Sequence, residues 1–226
     1  MDAFLASELR EGISQAIVCE PTSCRVGRRH RGILALAIDV RGEGGHSSLA
    51  DTLPAPVLEA SRVAVALGAW GEAQRRVGPA GFSGMCLNIA ELRGGVGYNI
   101  IPPSASLIVS VRPPPGASLD EIARAIADVA RRASPGVTIR TTLAQPPLQT
   151  TDFASFRPLL GEACDEALDL GFWTEAALLE QAGIRAVVYG PGDIAQAHAA
   201  DEWVNVADLE RACDAFAAPL LGGGSK

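Results

Sequence analysis

Two short segments place side chains that could bind a metal or move a proton beside glycine and proline. The segment YGPGDIAQAH, residues 189–198, ends in a histidine that follows two glycines bracketing a proline. Earlier in the chain, CEPT closes an apolar run and carries Glu20. Histidine can bind a metal or transfer a proton, and a carboxylate can bind a hard or borderline cation. From these segments alone, His198 is either a metal ligand or an uncommitted loop residue, and Glu20 is either a ligand or a solvent-exposed glutamate.

A third candidate is His46, in the glycine-rich segment GEGGHSS at residues 42–48. The serines beside it and the nearby Asp51 suggest a serine hydrolase. That interpretation is weak, because the chain has no G-x-S-x-G elbow and adjacent loop residues rarely form a triad. His46 therefore needs another explanation.

Two polar residues flank an apolar strand further along the chain. Asn99 ends GGVGYN, which opens onto IIPP rather than a helix and so is not a dinucleotide-binding loop. Arg112 lies in VSVRP. A guanidinium on a strand can bind a carboxylate in a bidentate manner, or it can be the surface charge of an edge strand.

Composition limits the function classes. The chain has 226 residues, 48% of them apolar and 20% charged, which suits one large domain or two small ones. A net charge of −7 disfavours non-specific nucleic-acid binding. Scattered cysteines fit a reducing compartment, and the charged N-terminus does not resemble a signal peptide. We expect a cytoplasmic protein without nucleic-acid or membrane partners.

Apolar periodicity predicts alternating strands and helices. Strands are predicted at 15–22, 32–42, 85–95, 105–113, 136–144 and 185–190, and helices at 56–76, 119–133, 156–168, 174–182 and 206–221. Ser118 and Glu121 form a capping box before the second helix. The basic segment 25–31 is interpreted as a solvated turn, and Cys86 and Cys164 as small core residues.

Residues 32–144 follow the order strand, helix, strand, strand, helix, strand. This is the ferredoxin-like βαββαβ order, so we predict an α/β protein with this module inserted into a second domain. The second domain would hold one or two strands and about four helices, too little sheet for covered layers on both faces.

Six separated motifs, CEPT, GHSS, GGVGYNIIP, VSVRP, FWTEA and YGPGDIAQAH, together resemble one family in their types and order. It is the dizinc aminoacylase and peptidase family of acetylornithine deacetylase, succinyl-diaminopimelate desuccinylase and carboxypeptidase G. The acetylornithine and acetylcitrulline deacetylases look most similar. The resemblance implies a metal-dependent amide hydrolase of arginine biosynthesis that removes the acetyl group from an N-acetyl amino acid. It also implies a partial zinc-peptidase-like catalytic domain at 1–30 and 146–226, with a lid and dimerisation domain at 31–145.

The resemblance also implies roles for individual residues. Glu20 and His198 would each bind one of two zinc or cobalt ions. His46 would cross the interface of a homodimer, formed through the lid, and stabilise the oxyanion in the partner's site. The expected substrate-binding residues are Asn99, Arg112, Thr174, Glu175, Gly190 and Gly192.

One part of the family pattern does not occur here. The family takes an H-x-D and a Glu-Glu pair, including the general base, from a segment before the CEPT strand, and neither occurs before Glu20. The chain would then be a fragment or misplaced start of a full hydrolase, one of two complementary chains, or a non-catalytic dimerising or amino-acid-binding protein. In each case we expect the chain by itself to bind metal poorly. The motifs do not distinguish acetylornithine, acetylcitrulline and acetyl-lysine as substrates.

Overall fold

The computed structural model describes residues 1–82 and 84–221, which divide into two compact units. The flanking unit comprises Met1–Arg31 and Pro146–Lys226, and the inserted unit comprises Gly32–Gln145. Residues 222–226, which end the predicted segment 146–226, lie outside the described residues. The chain therefore leaves the flanking unit, builds the inserted unit from one continuous segment, and returns.

Strands and helices are numbered in chain order. The strands in the described ranges are β1 (Gln15–Val18), β2 (Gly27–His30), β3 (Ile33–Arg41), β4 (Gly45–His46), β5 (Cys86–Gly94), β6 (Ile100–Ile101), β7 (Ser104–Arg112), β8 (Thr138–Gln145), β9 (Leu148–Gln149), β10 (Leu168–Leu170) and β11 (Arg185–Val188). The α-helices there are α1 (Asp2–Leu5), α2 (Pro56–Gln74), α3 (Leu119–Ala133), α4 (Arg157–Leu160), α5 (Ala176–Gln181) and α6 (Val206–Leu221). None of these helices is long and apolar enough to cross a lipid bilayer.

The inserted unit is an antiparallel sheet with strand order β5-β7-β3-β8, covered on one face by α2 and α3. Alternate residues of β7 are buried, so one face of the strand contributes to the core and the other does not. Leu36, Leu107 and Val109 of the sheet pack in one cluster with Val63 and Ile126 of the helices. This order of elements confirms the predicted α/β class with a ferredoxin-like module.

Helix α3 begins where the sequence pattern placed its start. The Ser118 hydroxyl accepts a hydrogen bond from the backbone N–H of Glu121 at 3.3 Å. This contact satisfies one of the backbone donors that the first turn of a helix leaves unpaired.

The flanking unit holds a five-stranded sheet with order β1-β11-β2-β10, in which β9 also pairs with β2. Strands β1 and β11 run parallel from Gln15↔Arg185 to Val18↔Val188. Val187 packs in one buried cluster, whereas Ala186 and Val188 pack in another, so both faces of β11 are covered. The expectation of one or two strands and an uncovered sheet is therefore wrong.

Three local predictions are also wrong, each for a physical reason. The basic segment 25–31 contains β2, because Val26 and His30 are buried while Arg28 stays in solvent. The long helix at 156–168 is replaced by the four-residue α4 and two 3₁₀ turns, since Gly161 adopts φ of 53°. Cys86 is exposed, because it starts the edge strand β5 on the face that no helix covers.

Candidate functional site

In the flanking unit, the loops that follow β1 and β11 run side by side and carry Glu20, Gly190 and Gly192. The two strands are parallel, so their carboxyl ends meet at one edge of the sheet, where ligands of α/β proteins gather. The N–H of Thr22 donates to the carbonyl oxygen of Gly190 at 3.3 Å, and the N–H of Ser23 donates to that of Gly192 at 2.6 Å. The N–H of Gly190 donates in return to Oγ1 of Thr22 at 3.1 Å.

Both glycines are required by this backbone contact. A Cβ atom on Gly190 would lie 2.7 Å from the carbonyl oxygen of Glu20, which is too close for any side chain. Gly192 has φ of +80°, which favours glycine. The N–H and carbonyl of Gly190 are both engaged inside the chain, so this residue shapes the loop that presents Glu20.

His198 ends the second loop in a strained conformation. Its side chain is exposed, its φ is 63°, and its N–H donates to Oε2 of Glu202 at 3.0 Å. A left-handed conformation costs free energy for a residue with a side chain and is concentrated at functional sites.

The two predicted metal ligands do not form a metal centre in the structure. Across residues 1–82 and 84–221, no group of three or more His, Cys, Asp or Glu side chains could hold a metal ion. Catalytic zinc usually has about three protein ligands and structural zinc four. The residues present therefore do not fit the dinuclear centre that the family resemblance implies.

The predicted substrate-binding pair Thr174 and Glu175 divides into a buried and an exposed residue. Thr174 is 2% exposed, and its Oγ1 lies 3.1 Å from Nε2 of His30. The Glu175 side chain is 51% exposed, and its carboxylate lies 3.6 Å from the Met1 ammonium group. His30 was missed at the sequence level because it lies among four arginines. The segment GRRHR shows no alternation of polar and apolar residues, so no pattern in the sequence marked His30 as buried.

In the inserted unit, a short ribbon brings His46 and Asn99 together from separate motifs. Strands β4 and β6 pair antiparallel with His46 opposite Ile100. The N–H of Ser47 also donates to the carbonyl oxygen of Asn99 at 3.0 Å. Both residues are exposed at this ribbon.

The hydrogen bonds of His46 determine which ring nitrogen can donate. The backbone N–H of Ser48 donates to Nδ1 at 3.2 Å, and the Ser48 hydroxyl lies 2.8 Å from the same atom. A backbone N–H can only donate, so Nδ1 is the acceptor and the neutral ring carries its proton on Nε2. His46 therefore presents an N–H donor at its exposed Nε2.

Arg112 lies far from this ribbon. It is the last residue of β7, whereas β6 and Asn99 precede the first residue of that strand, Ser104. Nine extended residues separate the two ends by about 26 Å at roughly 3.3 Å per residue. Within one inserted unit, a single small substrate cannot contact both Arg112 and the ribbon.

Comparisons with known proteins identify the inserted unit. Residues 28–138 match the family model of the peptidase dimerisation domain M20_dimer. The chain is 35% identical to N-acetyl-L-citrulline deacetylase of Xanthomonas campestris, over 92% of this chain and 58% of that protein. It is 31% identical to acetylornithine deacetylase of Myxococcus xanthus, over 90% of this chain and 56% of that protein. The chain thus spans little more than half the length of these curated relatives.

Solved structures share the fold. A dinuclear metal-binding peptidase of the M20 family from Bacillus subtilis superimposes with a TM-score of 0.71 at 14% identity, over 96% of this chain and 59% of that one. An M20 metallo-carboxypeptidase from Sulfolobus solfataricus gives a TM-score of 0.64 at 14% identity, over 95% and 64%. Residues 28–138 of this chain therefore belong to the M20 peptidase dimerisation domain family.

Proposed function

We propose that this chain contributes the lid and substrate-binding parts of an amide hydrolase that deacetylates an N-acetyl amino acid of the acetylornithine or acetylcitrulline kind. The observation that carries the proposal is the 35% identity to N-acetyl-L-citrulline deacetylase, which extends over 92% of this chain and so includes both units. In the reaction, water adds to the acetyl carbon, the C–N bond breaks, and acetate and the free amine leave.

His46 suits the stabilisation of the tetrahedral intermediate. Its exposed Nε2–H is a donor that can bind the developing oxyanion, and one such donor is typically worth about 3 kcal/mol. Asn99, on the same ribbon, can bind the substrate amide through its side chain. Activation of the water is not assigned to this chain, because its described residues do not fit a metal centre.

The separation of Arg112 from the ribbon supports a homodimer with shared sites. The family model that matches here is a dimerisation domain. In a dimer, the His46–Asn99 ribbon of one subunit would serve the partner's site, while Arg112 would bind the substrate carboxylate in its own. In this arrangement, residues at both ends of β7 contact substrate. No single substrate has to span the strand, whose ends are about 26 Å apart at ~3.3 Å per residue.

One edge of the inserted unit is suited to form that dimer. Helix α2 runs along the edge strand β5 and approaches it closely at two glycines. A Cβ atom added to Gly94 of β5 would lie 2.7 Å from Val57 of α2, and one added to Gly71 of α2 would lie 2.8 Å from Leu87 of β5. Helix α2 exposes Val57, which lies beside this strand, and Val65, the latter by 74%, and β5 exposes Leu92 by 47%. An unpaired strand edge beside exposed apolar side chains favours pairing with a second copy. We name this surface the α2–β5 edge.

Val65→Glu is expected to convert the dimer to a monomer. The substitution places a charge at an apolar contact of the α2–β5 edge, whereas Leu143→Glu places the same charge on β8, the opposite edge. Sedimentation velocity of the chain at about 50 μM, a concentration at which standard-size interfaces are populated, distinguishes the forms. A monomeric wild type, or a monomer from Leu143→Glu but not from Val65→Glu, would contradict the assigned surface.

Hydrolysis is tested in an assembly that carries the complete ligand set. The chain is produced together with the part of the Xanthomonas relative that it does not match, and acetate release is measured from N-acetylornithine, N-acetylcitrulline and N-acetyl-lysine. Turnover that needs both polypeptides is the expected result. If a wild-type assembly of correct mass hydrolyses none of the three, the deacetylase proposal is wrong.

A further inference from the structure

His30 is a fully buried histidine to which the proposed function assigns no role. It ends β2 with 0% exposure. Its Nε2 accepts a hydrogen bond from the backbone N–H of Thr174 at 3.1 Å and lies equally far from Oγ1 of the same residue. Its Nδ1 lies 2.9 Å from the carbonyl oxygen of Arg31.

These partners admit one protonation state. The N–H of Thr174 can only donate, so Nε2 carries the lone pair, and the carbonyl of Arg31 can only accept, so Nδ1 carries the proton. The Thr174 hydroxyl already accepts from the N–H of Ala176 at 3.4 Å, which leaves its own proton free to face Nε2. If both ring nitrogens carried a proton, neither the backbone N–H nor the hydroxyl of Thr174 could donate a hydrogen bond to the ring.

In the turn at residues 173–176, contacts hold Trp173 and Thr174 in place, whereas the next residue, Glu175, is exposed. Nε1–H of Trp173 donates to the carbonyl oxygen of Pro146 at 3.0 Å, and the Trp173 ring meets the His30 ring edge-on at 6.2 Å between centroids. Thr174 is held by His30. Glu175, between these anchors and α5, keeps its side chain 51% exposed.

We propose that His30 is a positioning residue, which fixes Thr174 so that the neighbouring Glu175 carboxylate is held out to contact the substrate. The inference rests on the proposed function, together with the substrate-binding role that the family resemblance implies for Thr174 and Glu175. In this proposal, Thr174 anchors the turn inside the protein and Glu175 contacts the substrate. A buried polar group with every hydrogen bond made specifies one local geometry, which is what a binding site requires.

The surroundings of the ring support a neutral histidine. Burial lowers the pKa of His30, and its hydrogen bonds oppose this shift only in part. Charged groups on the packed elements are paired with one another, Arg29 of β2 with Asp169 of β10 at 2.6 Å and Glu175 with the Met1 ammonium at 3.6 Å. The neutral form is therefore complete above the ordinary histidine pKa of about 6.5, and the anchor is lost as the pH falls toward the lowered pKa.

The test compares His30→Phe, which removes the acceptor, with His30→Gln, whose side-chain oxygen can take the place of Nε2. Amide hydrogen exchange of residues 174 and 175 is followed by NMR in the whole chain. We expect exchange at these amides to rise by about tenfold or more in His30→Phe and to stay within about threefold of wild type in His30→Gln, since exchange reports local opening. Unchanged exchange in a folded His30→Phe protein would overturn the proposal.

Wild-type protein provides a measurement that does not depend on a variant folding. As the pH falls, the amide signals of Thr174 and Glu175 should shift together with the ring signals of His30. Ring titration that leaves both amides unmoved would overturn the anchor.

In the active assembly, His30→Phe should raise KM by about tenfold with a smaller change in kcat, and His30→Gln should restore KM, because the lost element is ground-state positioning. An unchanged KM in His30→Phe would make His30 a core residue only and overturn the role. A wild-type assembly without turnover would refute the deacetylase proposal, while the amide exchange would still decide whether His30 holds the turn.

Discussion

The chain purified by itself is expected to retain far less than one tightly bound zinc ion and to leave N-acetylornithine and N-acetylcitrulline intact. The family resemblance assigns Glu20 and His198 to two different ions, and the described residues contain no group of three or more side chains that could hold a metal ion. Zinc sites of three or four ligands bind tightly because each protein ligand is already positioned by the fold. A single carboxylate or imidazole at the surface provides neither the number of ligands nor the coordination geometry that tight zinc binding requires.

Metal content is measured by mass spectrometry after dialysis against micromolar zinc and then against buffer. Glu20→Gln and His198→Ala are the matched controls, and both should have the same low zinc content as the wild type. Two zinc ions retained by the wild type and lost from His198→Ala would contradict the expectation. That result would mean that Asp193, Asp201 or Glu202, all exposed near His198 in sequence, complete a site in solution.

The inserted unit could be predicted from the sequence because its signals are local and agree with one another. The strand β7 alternates buried and exposed residues along nine positions, and α3 starts at a serine that caps it. Each signal is readable in a window of a few residues. The α/β class and the ferredoxin-like order follow from these elements alone.

The flanking sheet was underestimated because its missing strands are short and polar. β2 reads Gly-Arg-Arg-His, β9 has two residues and β10 has three. None has an apolar run, and each becomes a strand only through a partner distant in sequence, such as Leu168 opposite Gly27. Pairing of this kind depends on tertiary contacts, which the propensities of neighbouring residues do not indicate.

The same limit applies to the candidate site. The motifs located Glu20, Gly190 and His46 as individual residues, since glycine and proline mark the loops that carry them. The pairing of β4 with β6, which places His46 beside Asn99, could not be read from sequence. Nor could the burial of Thr174 against His30, because a threonine before a helix looks the same whether it caps, binds or anchors.

His46→Ala is expected to lower kcat of the active assembly by about 10²-fold or more, the cost of one lost oxyanion donor. His46 is exposed on a two-residue strand and its ring is hydrogen-bonded to the neighbouring Ser48, so its removal should leave the unfolding midpoint nearly unchanged. The zinc content of the assembly should also stay the same. His46→Gln is the matched control, since it keeps a donor of similar reach and should recover part of the rate.

Mixing two inactive variants tests in which subunit His46 acts. If the histidine serves the partner's site, a heterodimer of His46→Ala with Glu20→Gln has one complete site, built from the Glu20 of the first subunit and the His46 of the second. Random exchange of subunits at equal amounts makes half the dimers mixed, so about a quarter of the wild-type activity should return. If His46 acts within its own subunit, no mixed dimer contains a complete site, and the mixture stays as inactive as its components. Adding Val65→Glu to both variants should abolish the recovery, because exchange then produces no dimers in which the subunits can share a site.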